Sequence, residues 1–135
     1  MSIVDHFGVT VTDFEKGLAF YEKALAPLGI KVVMKIGKEL TGGQYEGAGF
    51  GNEKGKPDFW IGAGGGKKPA GNACHFAFVA ASRAEVDAFY KAALDAGGKD
   101  NGPPGVRAHY HPAYYGAFVL DLDGHNIEAV THKPE

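Results

Sequence analysis

The stretch HFGVTVTDFEKGLAFYEKALAPLG, residues 6–29, lies without a gap on HFAFVAASRAEVDAFYKAALDAGG, residues 75–98. His6 falls on His75, Phe7 on Phe76, Ala19-Phe20-Tyr21 on Ala88-Phe89-Tyr90, Ala24-Leu25 on Ala93-Leu94 and Gly29 on Gly98. Two amphipathic segments can match by chance. A His-Phe pair and an Ala-Phe-Tyr triplet that keep register over a whole helix point instead to a duplicated unit.

Each copy reads as a strand and then a helix. Ile3 to Val11 is rich in β-branched residues and alternates. Asp13 is placed to cap a helix over Lys16 to Leu25, whose Phe14, Leu18, Tyr21 and Leu25 share a face, and Pro27 and Gly29 end it. In the second copy Ser82 and Glu85 form a capping box, and Gly97-Gly98 is the stop. Three shorter strands are expected after each helix. The first set is Ile30–Ile36, about Gln44–Phe50 and Asp58–Ile61. The second is a weak one near Lys99–Asn101, then Tyr115–Asp121 and Asn126–Thr131, with Asp123-Gly124 turning between the last two. The glycine-rich residues 62–72 read as a linker. The expected organisation is one domain over residues 1–135, with module 1 at about 1–64 and module 2 at about 73–132. Neither half, with one helix, would bury much alone.

Alternation assigns faces. Phe7, Val9 and Val11 suit the helix side, leaving His6, Gly8 and Thr10 opposite; Phe76 and Phe78 suit it in the second copy, leaving His75, Ala77 and Val79. Phe59 and Ile61 leave Trp60 opposite, and Ile127 leaves Asn126, Glu128 and Val130. The phase at Trp60 is the least fixed, because a slip of one residue would present Phe59 instead. The non-helix faces thus carry His6, Trp60, His75 and Glu128 among small residues that leave room for a ligand.

Composition narrows the function classes. With 44% hydrophobic and 22% charged residues the chain is neither disordered nor membrane-spanning, and a net charge of −2 gives no field that would draw nucleic acid or anionic lipid. No apolar run approaches the roughly 20 residues of a membrane span, and the start MSIVDHFGVTVTD lacks the features of a signal peptide. Cys74, the single cysteine, reads as a small buried apolar residue and fits a reducing, cytoplasmic setting. Gly64-Gly65-Gly66-Lys67 has no phosphate-loop spacing and opens no helix.

Three motifs then carry a resemblance. They are the opening Asp5-His6-Phe7-Gly8-Val9 with Asp13 and Ala19-Phe20-Tyr21, the central His75-Phe76-Ala77-Phe78, and the closing Phe118-Val119-Leu120-Asp121-Leu122-Asp123-Gly124-His125-Asn126-Ile127-Glu128. Together they resemble the glyoxalase/bleomycin-resistance/extradiol dioxygenase (vicinal oxygen chelate) superfamily over nearly the whole chain, with Leu122 where proline is usual. The resemblance implies an α+β fold of two βαβββ modules forming a cup-shaped, mostly antiparallel curved sheet with helices outside. It places His6, His75 and Glu128 at metal-ligand positions for a divalent ion such as Zn, Mn, Ni or Fe. It places Trp60 where glyoxalase I enzymes carry a fourth ligand, and tryptophan has no lone pair to offer a metal. The chain therefore departs from the glyoxalase I pattern and retains two histidines and a carboxylate. Superfamily members commonly pair as homodimers.

The site residues also admit plainer roles. His6 and His75 suit a metal-free pocket lining, and Glu128 suits a solvated strand end. Trp60 fits core packing or an aromatic wall for a flat or apolar substrate. Residues 107–115 crowd Arg107, His109, Tyr110, His111, Tyr114 and Tyr115 into a loop expected to close over the cup. His109, His111 and Tyr115 are candidates for moving protons, and Arg107, Tyr110 and Tyr114 for holding substrate. A separate metal site at His109 and His111, or an aromatic dimer contact, remains open for the same loop. The leading expectation is a metal-dependent lyase, isomerase or dioxygenase on a small oxygen-bearing molecule. The alternative is a metal-free drug- or small-molecule-binding resistance protein, and the third is a scaffold without a ligand.

Overall fold

Alternating apolar residues and well-capped helices build two copies of one module in the computed structural model, which describes residues 3–134. The order is β1 (Phe7–Thr10), α1 (Phe14–Leu25), β2 (Lys31–Ile36), β3 (Tyr45–Gly51), β4 (Phe59–Gly64), then β5 (His75–Val79), α2 (Arg83–Asp95), β6 (Lys99–Val106), β7 (Tyr115–Leu120) and β8 (Asn126–Thr131). Each module makes a four-stranded mixed sheet, ordered β1-β4-β3-β2 and β5-β8-β7-β6. Only the first and last strands of each module run parallel.

The helix starts follow the sequence. The Asp13 carboxylate accepts from the Lys16 N–H at 3.1 Å. The Ser82 hydroxyl accepts from the Glu85 N–H at 3.2 Å, while the Glu85 carboxylate reaches back to the Ala81 N–H at 2.8 Å. Ser82→Ala removes one of these links and is expected to cost about 1 kcal/mol in chemical denaturation. A loss of nothing measurable would mean that helix packing alone sets the start of α2.

Several boundaries move for identifiable reasons. β1 begins at Phe7 and not at Ile3, because its partner β4 offers its first rung at Phe59. β6 runs to Val106, well beyond Asn101, with register shifts that accommodate Gly102 and Gly105 opposite β7. β4 extends through Gly64, so residues 62–64 belong to the sheet and not to the linker. Cys74 is half-buried, not fully buried, because it sits in the chain's approach to β5.

The helix sides of both sheets share one core. Phe7 meets Phe76 at 5.1 Å between ring centroids, and Phe59 meets Phe76 and Phe78 at 5.4 and 5.2 Å. Helices α1 and α2 pack on one another. A polar cluster ties the modules at this junction. The Asp121 carboxylate accepts from the Tyr21 hydroxyl of α1, from the His125 ring at 2.8 Å, and from the Asp123 and His125 N–H groups at 2.9 Å each. The Thr12 N–H adds a link to Asp123 at 3.2 Å. No helix among the described residues is long and apolar enough to cross a membrane.

Candidate functional site

Burial confirms the assignment of faces. Phe59 and Ile61 lie in the core, so Trp60 points the other way, and Ile127 and Ala129 do the same for Glu128. Pairing then makes the repeat quantitative. Gly8 stands beside Trp60 across β1–β4, as Ala77 stands beside Glu128 across β5–β8. Trp60 therefore takes, in module 1, the place that Glu128 takes in module 2.

His75 and Glu128 come together. The His75 Nε2 lies 3.2 Å from Glu128 Oε1. The other ring nitrogen, Nδ1, lies 3.1 Å from the Asn126 carbonyl oxygen. A carbonyl only accepts, so Nδ1 carries the proton. Nε2 then faces a carboxylate, and either a second proton or a cation must lie between them. Glu128 is 1% exposed, and its second oxygen accepts from the Tyr114 hydroxyl. Burial, then the hydrogen bond to Glu128 and its charge, push the Tyr114 phenol well above its ordinary range, which keeps it a donor. Gly116 makes the room: a Cβ there would sit 3.1 Å from Glu128 Oε2.

A cavity of about 440 Å³ opens on this pair, lined by His75, Tyr110, Tyr114, Phe118 and Glu128. Phe118 stacks on His75 at 6.0 Å, and the Arg107 guanidinium lies 5.5 Å from the same Phe118 ring. Tyr110 meets Tyr114 edge-on at 5.0 Å and His109 at 4.1 Å. His111 accepts from the Ala113 N–H through Nδ1 at 3.0 Å, so its Nε2 carries the proton, and its ring meets His132 at 5.3 Å. A second cavity, about 410 Å³ at the module junction, is floored by core aromatics such as Phe7, Phe50 and Phe59. Of the three carboxylates in its lining, Asp58 is paired with Lys56 and Glu85 with the Ala81 N–H, and no histidine lines it. The chemistry therefore lies with the first cavity.

Other sequence candidates fall elsewhere. His6 is not brought to His75 and Glu128; its side chain is 62% exposed and pairs with Asp5 at 2.7 Å. Among the described residues no three His, Cys, Asp or Glu side chains converge on a metal site. Tyr115 is directed away from the cavity, because its strand phase matches core residues Ala117 and Val119. Its hydroxyl donates to Asp87 of α2 at 2.6 Å under the Arg83 guanidinium. Phe118 and Gly116 complete the lining and packing around Glu128, and alternation along β7 from the Phe118–Glu128 pair places both on its face.

The donors that remain suit a divalent metal. Two ligands about 2.0–2.2 Å from one ion, and about 100° apart at it, stand about 3.2 Å from each other. The His75–Glu128 separation has this value, which is equally that of a direct imidazole–carboxylate contact. An Nδ1 proton held by a backbone carbonyl is the usual outer support of a ligating histidine. An imidazole and a carboxylate suit Zn, Mn, Ni or Fe.

Comparison with known proteins supplies the kinship. A sequence model of the Glyoxalase/Bleomycin resistance protein/Dioxygenase superfamily matches residues 3–129. A glyoxalase/bleomycin resistance protein from Albidiferax ferrireducens T118 is 29% identical, with a TM-score of 0.72 over 96% of this chain and 98% of that one. A glyoxylase/bleomycin resistance protein/dioxygenase domain from Frankia sp. EAN1pec shares the fold at 18% identity, with a TM-score of 0.71 over 98% and 99%. An E144Q variant of glyoxalase I from Zea mays superposes with a TM-score of 0.70 at 22% identity; this chain, 94% covered, spans 46% of it. A search of curated proteins finds no match. With the family match spanning nearly all of its length and the paired modules in place, the chain belongs to the Glyoxalase/Bleomycin resistance protein/Dioxygenase superfamily.

Proposed function

We propose that this protein is a divalent-metal-dependent enzyme of lyase, isomerase or dioxygenase type that acts on a small oxygen-bearing molecule. The carrying observation is the buried Glu128 facing the Nε2 of a histidine whose other nitrogen is already fixed. His75 and Glu128 would hold the ion, and His6 of a second copy of the chain would complete the set. Strands β1 and β5 are sheet edges, and Val79 on β5 is 83% exposed, which favours such pairing. Bound there, a divalent cation supplies Lewis acidity toward substrate oxygens.

The chain's own groups have distinct tasks in this reading. Tyr114 holds the second Glu128 oxygen and so fixes the carboxylate plane. His109 and His111, on the loop that carries Tyr110 but outside the cavity lining, are the candidates for proton movement. Arg107 anchors a substrate carboxylate from its position over Phe118. Phe118 and Tyr110 wall the cavity.

Mixing two inactive variants tests the arrangement. His6→Ala and Glu128→Ala homodimers should each bind Mn or Zn poorly in calorimetry. Unfolded and refolded together in equal amounts, they should regain metal binding at about a quarter of all sites, because about half of the dimers are mixed and each mixed dimer assembles one intact set. No recovery in mixed dimers of verified composition would exclude a shared site. No metal binding by the wild type would favour the second reading, a metal-free small-molecule-binding resistance protein, which the separation of His6 from the pair supports. Light scattering should give twice the 14.2 kDa of one chain.

Trp60 adds a restriction on chemistry. Glutathione-dependent isomerisation of methylglyoxal is expected to be absent or feeble even with added Ni or Zn, since an indole replaces a ligand. Robust turnover would show that three ligands suffice here.

A further inference from the structure

The outer face of module 1 is a second version of the face that carries Glu128. Gly47 pairs with Gly62 and Gly49 with Trp60 across β3–β4, as Gly116 pairs with Val130 and Phe118 with Glu128 across β7–β8. Two residues before Gly47 and Gly116 stand Tyr45 and Tyr114. The Tyr114 hydroxyl meets a carboxylate, whereas the Tyr45 position has an indole in that carboxylate's place. Both module 1 rings lie close against glycine backbone. A Cβ at Gly49 would stand 3.0 Å from Cε2 and Cζ2 of Trp60, and one at Gly8 would stand 3.1 Å from its Cβ. A Cβ at Gly47 would stand 3.2 Å from the Tyr45 ring, and one at Gly62 would collide with the Tyr45 hydroxyl. Gly47 and Gly49 share one sheet face, so the two rings lie side by side on it. Both remain half-exposed. Side chains at these glycines would lift the rings off the sheet.

We propose that this face is a ring-stacking half-site, in which Trp60 and Tyr45 of one copy receive a flat conjugated ring of the ligand whose oxygen atoms are held at the His75–Glu128 face of a second copy. The proposal rests on the reading that a small oxygen-bearing ligand occupies the latter face, and it names the rest of that ligand. The repeat carries the argument. Two faces built on one register, when the module 1 face of one copy meets the module 2 face of a second copy about a pseudo-two-fold axis, set Trp60 across from Glu128. One half offers charged oxygen and nitrogen donors, and the other offers π faces and no charged ligand. A molecule that spans them has oxygen donors at one end and a planar apolar ring at the other. The Lys67 ammonium, 5.8 Å over the Tyr45 ring, adds a positive rim that suits an electron-rich or acidic ring.

The test uses the whole protein stripped of metal by a chelator. The two probes are 2-naphthoate and decahydro-2-naphthoate, which carry the same carboxylate on a flat and on a puckered double ring. Calorimetry is expected to show 2-naphthoate binding about fivefold tighter or more, since stacking adds to area burial. Trp60 is the single tryptophan, so one indole N–H proton resonance reports on it. That resonance should move upfield with 2-naphthoate and stay put with the saturated acid. Trp60→Leu keeps an apolar side chain without a π face and should abolish the preference, whereas Tyr45→Phe should retain it. Equal affinities in the wild type, or a preference unchanged in Trp60→Leu, would overturn the proposal. If Trp60→Leu does not fold, the wild-type affinities and the indole shift decide alone. Repeating the titrations with Mn separates the two readings. A ring preference without metal binding sustains the stacking half-site and removes the metal enzyme, and metal binding with equal affinities does the reverse.

Discussion

Glu128→Gln is expected to weaken divalent-metal binding by at least about 100-fold, because an anionic ligand is lost outright and outer supports alone are worth about 10–100-fold. The substitution keeps the side chain's volume, and the amide oxygen can still accept from the Tyr114 hydroxyl, so the fold should survive with a thermal midpoint near that of the wild type. His75→Ala should weaken binding to a similar degree. Tyr114→Phe leaves both ligands but frees the second Glu128 oxygen, and about a tenfold loss is expected. Lys91→Ala, which removes only an exposed pair with Asp95 on α2, should change nothing. Calorimetric titration with Mn, Zn, Ni and Fe(II) ranks the four variants. Equal affinity in the wild type and Glu128→Gln would mean that the buried carboxylate serves only to bond His75 and Tyr114, and the catalytic reading would lose its support.

The residues differ in how far they disclose this arrangement in advance. The duplicated stretch from His6 and His75 gives the two modules, and alternation places Trp60 and Glu128 on the non-helix faces, because side-chain direction in a strand is a local property. The same rule, extended down β7 from buried Val119 and Ala117, puts Tyr115 on the helix side and Tyr114 on the other. The crowding of aromatics in the loop obscures that phase. The Tyr-x-Gly-Ala pattern at Tyr45 and again at Tyr114 is a further piece of the repeat, and it is short enough to be lost among 21 glycines. The separation of His6 from His75 has no local signature at all. Periodicity says which face a residue occupies, but the packing of α1 on α2 decides which faces meet, and that packing joins residues far apart in sequence. The bond from Tyr21 to Asp121 spans 100 positions and is invisible for the same reason.

Asp121→Ala is expected to destabilise the fold by about 3–5 kcal/mol, the range for removing one partner of a buried ion pair. Asp121 is 5% exposed and His125 0%. The carboxylate is met by four donors, from Tyr21, from Asp123 and twice from His125, and without it these buried groups lose their acceptor together. His125 Nε2 already lacks a partner, so this ring has no alternative bond to form. Tyr21→Phe removes a single donor and should cost about 1.5–3 kcal/mol, the range for a bond to a charged group. The two losses should fall short of adding in the double variant, because both act on one carboxylate. The pair also sets a pH dependence. Burial alone would raise the Asp121 carboxyl, but the His125 ring and the Tyr21 hydroxyl more than offset it, and the group lies below its ordinary 3.8. Its contribution is therefore complete above about pH 4 and is lost as pH falls through the lowered value. The bond to Asp121 outweighs burial at His125 and holds that group above its ordinary 6.5. Its contribution is present below that value and is lost as pH rises through the raised one. Urea denaturation of the wild type relative to Asp121→Ala should thus show the largest difference between about pH 4 and 6.5, shrinking on either side. A difference that stays constant from pH 3 to 9 would mean that neither group changes its proton affinity on folding. The cluster would then hold the modules together by shape and neutral bonds alone.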